Sequence, residues 1–348
     1  MRGIAGSFER SWSGEPGTIP WTKALHHLAL VYEAASALTR ARAAVRRVRL
    51  EGCRVIAVGN LTVGGTGKST IARWLALEAV KAGDRAAVLL RGHGAESHAR
   101  GVVPDFGGYP TERGLARYGD EAMALRGILP REVAVAVDPD RARAGRAARD
   151  GYGARVLILD DGWEQEGLRW DELWVMVDPR RPVGNGSLLP AGPLRRPAST
   201  LREATRVVFL LEEPGESIPE ATLAWLHSTA PGVPTLRFRR TLREPLPAGA
   251  RVAVLSGVGA PRRLERFLRG AGAEILFHDA YPDHARWETV ALERSVRRAE
   301  AAGASMILIT EKDEPRWPRG LTPALPWRVI RTGVEPLDPV ELPHAAIA

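Results

Sequence analysis

The stretch Val58-Gly59-Asn60-Leu61-Thr62-Val63-Gly64-Gly65-Thr66-Gly67-Lys68-Ser69-Thr70 decides how the rest of this 348-residue chain is read. It follows an apolar run, Arg54-Val55-Ile56-Ala57-Val58, and precedes a helix-patterned segment from about Lys68 to Ala82. A strand, a glycine-rich turn and a helix in that order make a phosphate-binding loop. Gly64, Gly65 and Gly67 let the backbone close round an anion, and the amides of the turn and the helix N-terminus face it. The spacing assigns Thr62, Val63, Gly64, Gly65, Thr66, Gly67, Lys68, Ser69 and Thr70 to ATP. Lys68 reaches the β- and γ-phosphates and Ser69 ligates Mg²⁺. The strict pattern G-x-x-x-x-G-K-[ST] is not met, because Thr62 stands at its first glycine.

Working outward, apolar runs at Ala86–Leu90, Glu132–Val137, Val156–Leu159, Leu173–Val177 and Arg206–Leu211 alternate with helical patterns. This rhythm predicts an α/β fold, a P-loop NTPase-like parallel sheet flanked by helices. A second series begins near Val252: strands at Val252–Leu255, Ile275–His278 and Met306–Ile309, with helices at Pro261–Gly270 and Thr289–Ala302. It reads as a second, smaller α/β domain. The proline-bearing stretch 231–247 places the boundary, giving an N-terminal helix in 1–50, a P-loop domain in 51–235 and the smaller domain in 236–348. Val156-Leu-Ile-Leu-Asp160-Asp161 is an apolar strand ending in acids, which suits the metal side of a P-loop site. Either Asp160 or Asp161 serves as the direct contact.

Residues 1–18 read as a loose leader without a signal-peptide pattern, so the chain is expected to stay on the cytoplasmic side. Between Ile19 and Arg49, Trp21, Leu25, Leu28, Tyr32, Ala35 and Leu38 recur at helical spacing beside Arg40, Arg42, Arg46, Arg47 and Arg49. This amphipathic pattern suits a helix lying in a bilayer interface and equally a helix packed on its own domain. No run is long enough to span a membrane. The single cysteine, Cys53, excludes an internal disulfide. The net charge of +8 suits anionic lipid or phosphorylated substrates. No helix-turn-helix, zinc-finger or aromatic-basic motif accompanies it, so nucleic acid is not an expected partner.

Beyond the loop, the chain closely resembles the tetraacyldisaccharide 4'-kinases, whose P-loops also lack the first glycine. The resemblance runs in order through Arg91-Gly-His-Gly94, Tyr118-Gly-Asp-Glu121 and Asp160-Asp-Gly162, then Gly184-Asn-Gly-Ser-Leu-Leu-Pro-Ala-Gly-Pro-Leu-Arg195. It continues in Leu255-Ser-Gly257, Tyr281-Pro-Asp-His284 and Thr310-Glu-Lys-Asp313, covering about residues 20–320. It implies transfer of the ATP γ-phosphate to the 4'-hydroxyl of tetraacyldisaccharide 1-phosphate by a monotopic enzyme on the cytoplasmic face of the inner membrane. By position, Asp120 matches the family's catalytic acid and His284 the histidine that assists it. Arg91, Glu121 and Arg141 are read as acceptor-side residues. The chain departs from the family at Glu164 (glutamine), Gln165 (histidine), Arg196 (an acid), Ala285 (a second histidine) and in Gly92-His-Gly94 (Gly-Tyr-Gly). The alternatives are a P-loop kinase of another glycolipid or sugar, and a membrane-associated ATPase switch.

Overall fold

A parallel strand buried on both faces is almost continuously apolar, and the chain supplies a succession of such runs. The computed structural model describes residues 12, 22–92, 101–104, 112–165, 167–281, 287–318 and 320–341. Most of the leader, Trp21, His93, Gly94, His284 and Ala285 lie outside them. Helix α1 (Thr22–Arg46) leads into β1 (Arg54–Asn60), α2 (Lys68–Lys81), β2 (Ala86–Leu90) and β3 (Gly101–Val102). Then come α3 (Glu112–Tyr118), α4 (Asp120–Ile128), β4 (Val133–Val137), α5 (Arg141–Tyr152), β5 (Val156–Asp160), β6 (Glu172–Val177) and β7 (Arg206–Leu211). The chain continues through α6 (Glu220–Thr229), β8 (Thr235–Leu242), β9 (Arg251–Ser256), α7 (Pro261–Gly270), β10 (Glu274–Ala280) and α8 (Thr289–Ala301). It closes with β11 (Met306–Thr310), β12 (Trp327–Ile330) and β13 (Thr332–Pro336).

The large sheet runs β13-β8-β7-β6-β1-β5-β2-β4-β3. Its interior pairings are parallel, and only the edge strands β13 and β3 run antiparallel to their neighbours. Alternate residues of each strand feed two cores. Ile56 and Val58 face α2 and the cluster of Trp74, Trp174 and Phe238, while Val55 and Ala57 face Leu157, Leu159 and Trp163. Trp74 meets Phe238 edge-on at 4.8 Å between ring centroids, a favoured aromatic geometry. The second sheet, β10-β9-β11-β12, is wholly parallel.

The large sheet reaches past the boundary expected at residue 235, because β8 belongs to it and β13 returns the chain to it. The stretch that reads as the domain boundary contains Leu236 and Phe238, buried between the outward Arg237 and Arg239. That is the period-two pattern of a half-buried strand.

Helix α1 also differs from its expected stripe. Ala29 is buried, with Leu25 and Tyr32 half-buried, whereas Leu28, Leu30, Val31, Leu38 and Val45 are 53–89% exposed. Positions 28, 31, 35 and 38 share one face, and 25, 29, 32 and 36 another. The apolar residues expected on one stripe are thus split between the body of the protein and its outside. No described helix is long and apolar enough to cross a membrane.

Candidate active site

The loop after β1 sits at the C-terminal ends of the parallel strands, where open α/β sheets bind ligands. Gly67 has φ +91°, and a Cβ there would overlap Leu210, so only glycine serves at the start of α2. Asn60, at the end of β1, donates to Thr62 O and accepts from Lys68 Nζ at 2.9 Å. Lys68 is also 3.1 Å from Asp161. The entry to the loop is braced from outside. Val63 N donates to Pro193 O (2.8 Å) and Arg195 N to Leu61 O (3.0 Å). The Gly184–Arg195 block therefore shapes the P-loop through its backbone. Thr62 and Val63 belong to this brace, and the hydroxyl of Thr66 is buried without a partner.

Strand register delivers the acids. Val58 pairs with Asp160, which sets the carboxylate at the end of β5 beside the mouth of the loop. Both Asp160 oxygens are buried without a hydrogen bond of ordinary geometry, with the Ser69 hydroxyl the nearest donor to them. Burial, and then the charge of Glu121, push its pKa up to about 7. Asp161 behaves oppositely. Burial raises its pKa, but Lys68 and Arg195 outweigh that and hold it below the ordinary carboxylate value. Arg195 Nη1 lies 2.9 Å and 3.0 Å from the two Asp161 oxygens. Asp161 has φ +53°, unlike every other described non-glycine residue, and its ion pairs fix that unusual conformation. Next to it, a Cβ on Gly162 would lie 2.5 Å from Leu159 Cβ, so the turn after the acids packs flat against β1 and β5.

Helix α4 brings Asp120 and Glu121. Ser69 Oγ donates to Glu121 Oε1 at 3.3 Å. Desolvation raises Glu121 against the pull of Lys312 and Ser69. Asp120 Oδ1 accepts from the Glu121 amide at 2.9 Å, and its Oδ2 is bound by Arg316. Arg141 is buried and donates to Asp138 O at 2.8 Å. Burial lowers its pKa to about 10 against the attraction of Asp160, and the charge of Arg91 lowers it further. Arg91 itself is exposed, just beyond β2.

The smaller sheet closes over this site. Arg263 of α7 pairs with the buried Glu212 and donates to Gly65 O (3.0 Å) and Leu210 O (3.1 Å). Arg240 binds Glu212 and lies 3.4 Å from Thr70 Oγ1. Arg73 on α2 meets Glu311 at 2.7 Å. A cavity of about 230 Å³ opens beside the loop, lined among others by Gly65, Thr70, Arg240, Phe267 and Lys312.

The structure thus gathers Lys68, Ser69, Asp120, Glu121, Asp160, Asp161 and Arg141 around one mouth, and His284 lies outside the described residues. Asn60, Arg195, Arg263 and Arg316 were not singled out from the sequence. The first two stand within quoted motifs, whereas nothing local marks the last two.

Two residues near the site, Arg196 and Glu164, meet in a single contact. Arg196, 2% exposed, pairs with Glu164 at 2.6 Å and lies over the Trp163 ring at 4.6 Å. The charge of the buried Arg196 is therefore satisfied locally. Gln165 caps its own turn, accepting from Gly167 N and Leu168 N, each at 2.9 Å.

A nucleotide loop on a parallel sheet, a buried carboxylate at its mouth and a separate acid pair place the molecule among P-loop phosphotransferases. The family profile described as "Tetraacyldisaccharide-1-P 4'-kinase" matches residues 21–344. The tetraacyldisaccharide 4'-kinase of Anaeromyxobacter sp. (strain K) is 38% identical over 312 residues, covering 85% of this chain and 81% of that protein. That of Syntrophobacter fumaroxidans is 33% identical over 337 residues, covering 91% and 86%. The ATP-complexed "apo" form of LpxK from Aquifex aeolicus superposes with a TM-score of 0.66 at 24% identity, covering 90% of this chain and 95% of that one. The chain belongs to the tetraacyldisaccharide 4'-kinase family.

Proposed function

We propose that this protein transfers the γ-phosphate of ATP to the 4'-hydroxyl of tetraacyldisaccharide 1-phosphate in lipid A biosynthesis. The observation that carries this reading is the meeting of Lys68, Ser69 and Asp160 with the separate acid Asp120 at one mouth. A switch ATPase needs the first group only. In the proposed reaction the 4'-oxygen attacks the γ-phosphorus and its proton passes to Asp120. The bond from the γ-phosphorus to the bridging oxygen breaks, and ADP leaves with that electron pair. Lys68 steadies the β- and γ-phosphates, and His284 assists Asp120.

The donor set suits Mg²⁺. Ser69 Oγ, Asp160 and Asp161 are hard oxygen donors. No cluster of three or more His, Cys, Asp or Glu that could hold a metal ion occurs among the described residues, which suits an ion that binds through one or two carboxylates plus substrate phosphates. Asp160, with neither oxygen in a hydrogen bond of ordinary geometry, fits direct contact, while Asp161 is engaged by Lys68 and Arg195. The ion would neutralise charge on the transferring phosphate.

The exposed apolar face of α1, with Arg40, Arg42 and Arg49 toward its C-terminal end, supports seating on the cytoplasmic surface of an anionic inner membrane where a tetraacylated acceptor resides. The test compares ATP turnover with and without tetraacyldisaccharide 1-phosphate in micelles, for the wild type, Asp120→Ala and His284→Ala. Acceptor-dependent turnover that both substitutions abolish supports the reading. Turnover indifferent to the acceptor and to Asp120 contradicts it.

A further inference from the structure

Arg316, from the smaller unit, reaches the acid expected to receive the acceptor's proton, and it arrives on a prepared support. Asp313, three residues earlier, is wholly buried. It accepts from Thr310 Oγ1 at 2.5 Å and Gly257 N at 3.1 Å, and its Oδ1 stands 3.5 Å from Arg316 Nη1. The guanidinium is thereby aimed, with Nη2 on Asp120 Oδ2. The Arg316 and Asp120 side chains are only 10% and 17% exposed, so water screens the pair far less than a surface bridge. The same turn is tethered to the other half of the site, because Glu311 binds Arg73 on α2, the helix that begins with Lys68 and Ser69. One turn of the smaller unit thus grips both helices that supply reacting groups.

We propose that Arg316 is a positioning residue that holds Asp120 ionised and oriented for the acceptor hydroxyl. Its Nη2 occupies Oδ2, and the Glu121 amide holds Oδ1, which fixes the plane of the carboxylate while leaving lone pairs to accept a proton. A cation beside a carboxylate favours the charged form. Glu121 adjoins this acid on the same helix, with Lys312 and Asp161 near Glu121, and Lys312 also stands near Asp313, the support of Arg316. Arg316 acts through Asp120, its recorded partner at the site.

This inference rests on the 4'-kinase reading, and the experiment separates the two. Transfer to tetraacyldisaccharide 1-phosphate is measured across pH for the wild type, Arg316→Met, Arg316→Lys, Asp120→Asn and the Asp120→Asn/Arg316→Met double variant. The expected result for Arg316→Met is a kcat at least about tenfold lower with the KM for ATP within about twofold. Its acid limb of kcat moves about one unit to higher pH, because the carboxylate has lost its cation. Arg316→Lys recovers part of kcat, and Arg316→Met adds nothing to the loss already caused by Asp120→Asn. An unmoved acid limb, a loss confined to KM, or an equal further loss in the Asp120→Asn background overturns the proposal. A wild type that transfers nothing to this acceptor refutes the 4'-kinase reading instead. Thermal denaturation of the wild type, Arg316→Met, Asp120→Asn and the double variant then decides the pair, and additive changes without coupling overturn it.

Discussion

Replacing Asp160 by asparagine should make the protein more stable while removing its phosphotransfer. The carboxyl has an ordinary pKa of 3.8, raised in the folded chain to about 7 by burial and by Glu121. A folded pKa above the unfolded one means that this group's favourable contribution is complete below about pH 4 and is lost as pH rises through about 7. The difference is about three units, so at pH 8 the ionised carboxylate costs the fold about 4 kcal/mol. Asparagine keeps the shape and never ionises. Unfolding entropy of about 2.1 cal/mol/K per residue gives roughly 0.7 kcal/mol/K for a chain of this length, so the gain corresponds to a Tm rise of about 6 °C. The assay is calorimetry or dye-monitored melting of both proteins from pH 4 to 8 without nucleotide. The Tm difference should be near zero at pH 4 and grow to its full value above pH 7. Adding Mg²⁺ and a non-hydrolysable ATP analogue should raise the wild type more than the variant. A variant less stable than wild type at pH 8, or a difference that ignores pH, refutes the reasoning.

Three other perturbations test separate parts of the account. Arg196→Ala should lower unfolding free energy by about 2–3 kcal/mol in urea titrations, because the buried cation and its packing on Trp163 are lost. A double-mutant cycle with Glu164→Ala should show coupling between the two side chains, and strictly additive losses would contradict the pair. Leu28→Glu/Leu38→Glu, on the exposed face of α1, should weaken sedimentation with vesicles containing anionic lipid at least about tenfold while leaving the melting temperature unchanged. Gly162→Ala should cost about 1–3 kcal/mol by overpacking against Leu159 and Ala57, measured by the same titrations.

The sheet was legible in the sequence wherever a strand was buried on both faces. Ala86–Leu90 and Arg206–Leu211 have the expected ends, because their uninterrupted apolar runs have no other stable reading. Strand β8 fell in the stretch read as the domain boundary, since its outward arginines and neighbouring prolines mask an alternation only two apolar residues long. Strand β13 pairs with β8 across about ninety residues, and local pattern carries no record of such a partner. The site divides in the same way. Lys68, Ser69 and Asp160 stand in a loop and at a strand end whose spacing states their chemistry. Arg195 stood within a quoted block, but its bond to Asp161 depends on how two loops fold together. Arg316 and Arg263 sit among many arginines in sequence, and only the closure of the smaller sheet over the larger one distinguishes them.

The proposed acceptor of this phosphate loop is a lipid disaccharide hydroxyl. The most direct test is transfer from γ-labelled ATP, with Mg²⁺, to tetraacyldisaccharide 1-phosphate in detergent micelles, with the product's phosphate position assigned by NMR. The account predicts a 4'-phosphorylated product from the wild type and at least about a hundredfold less from Lys68→Ala. ATP hydrolysis that depends on Lys68 without any labelled lipid would contradict it, and would assign the phosphate site to another acceptor.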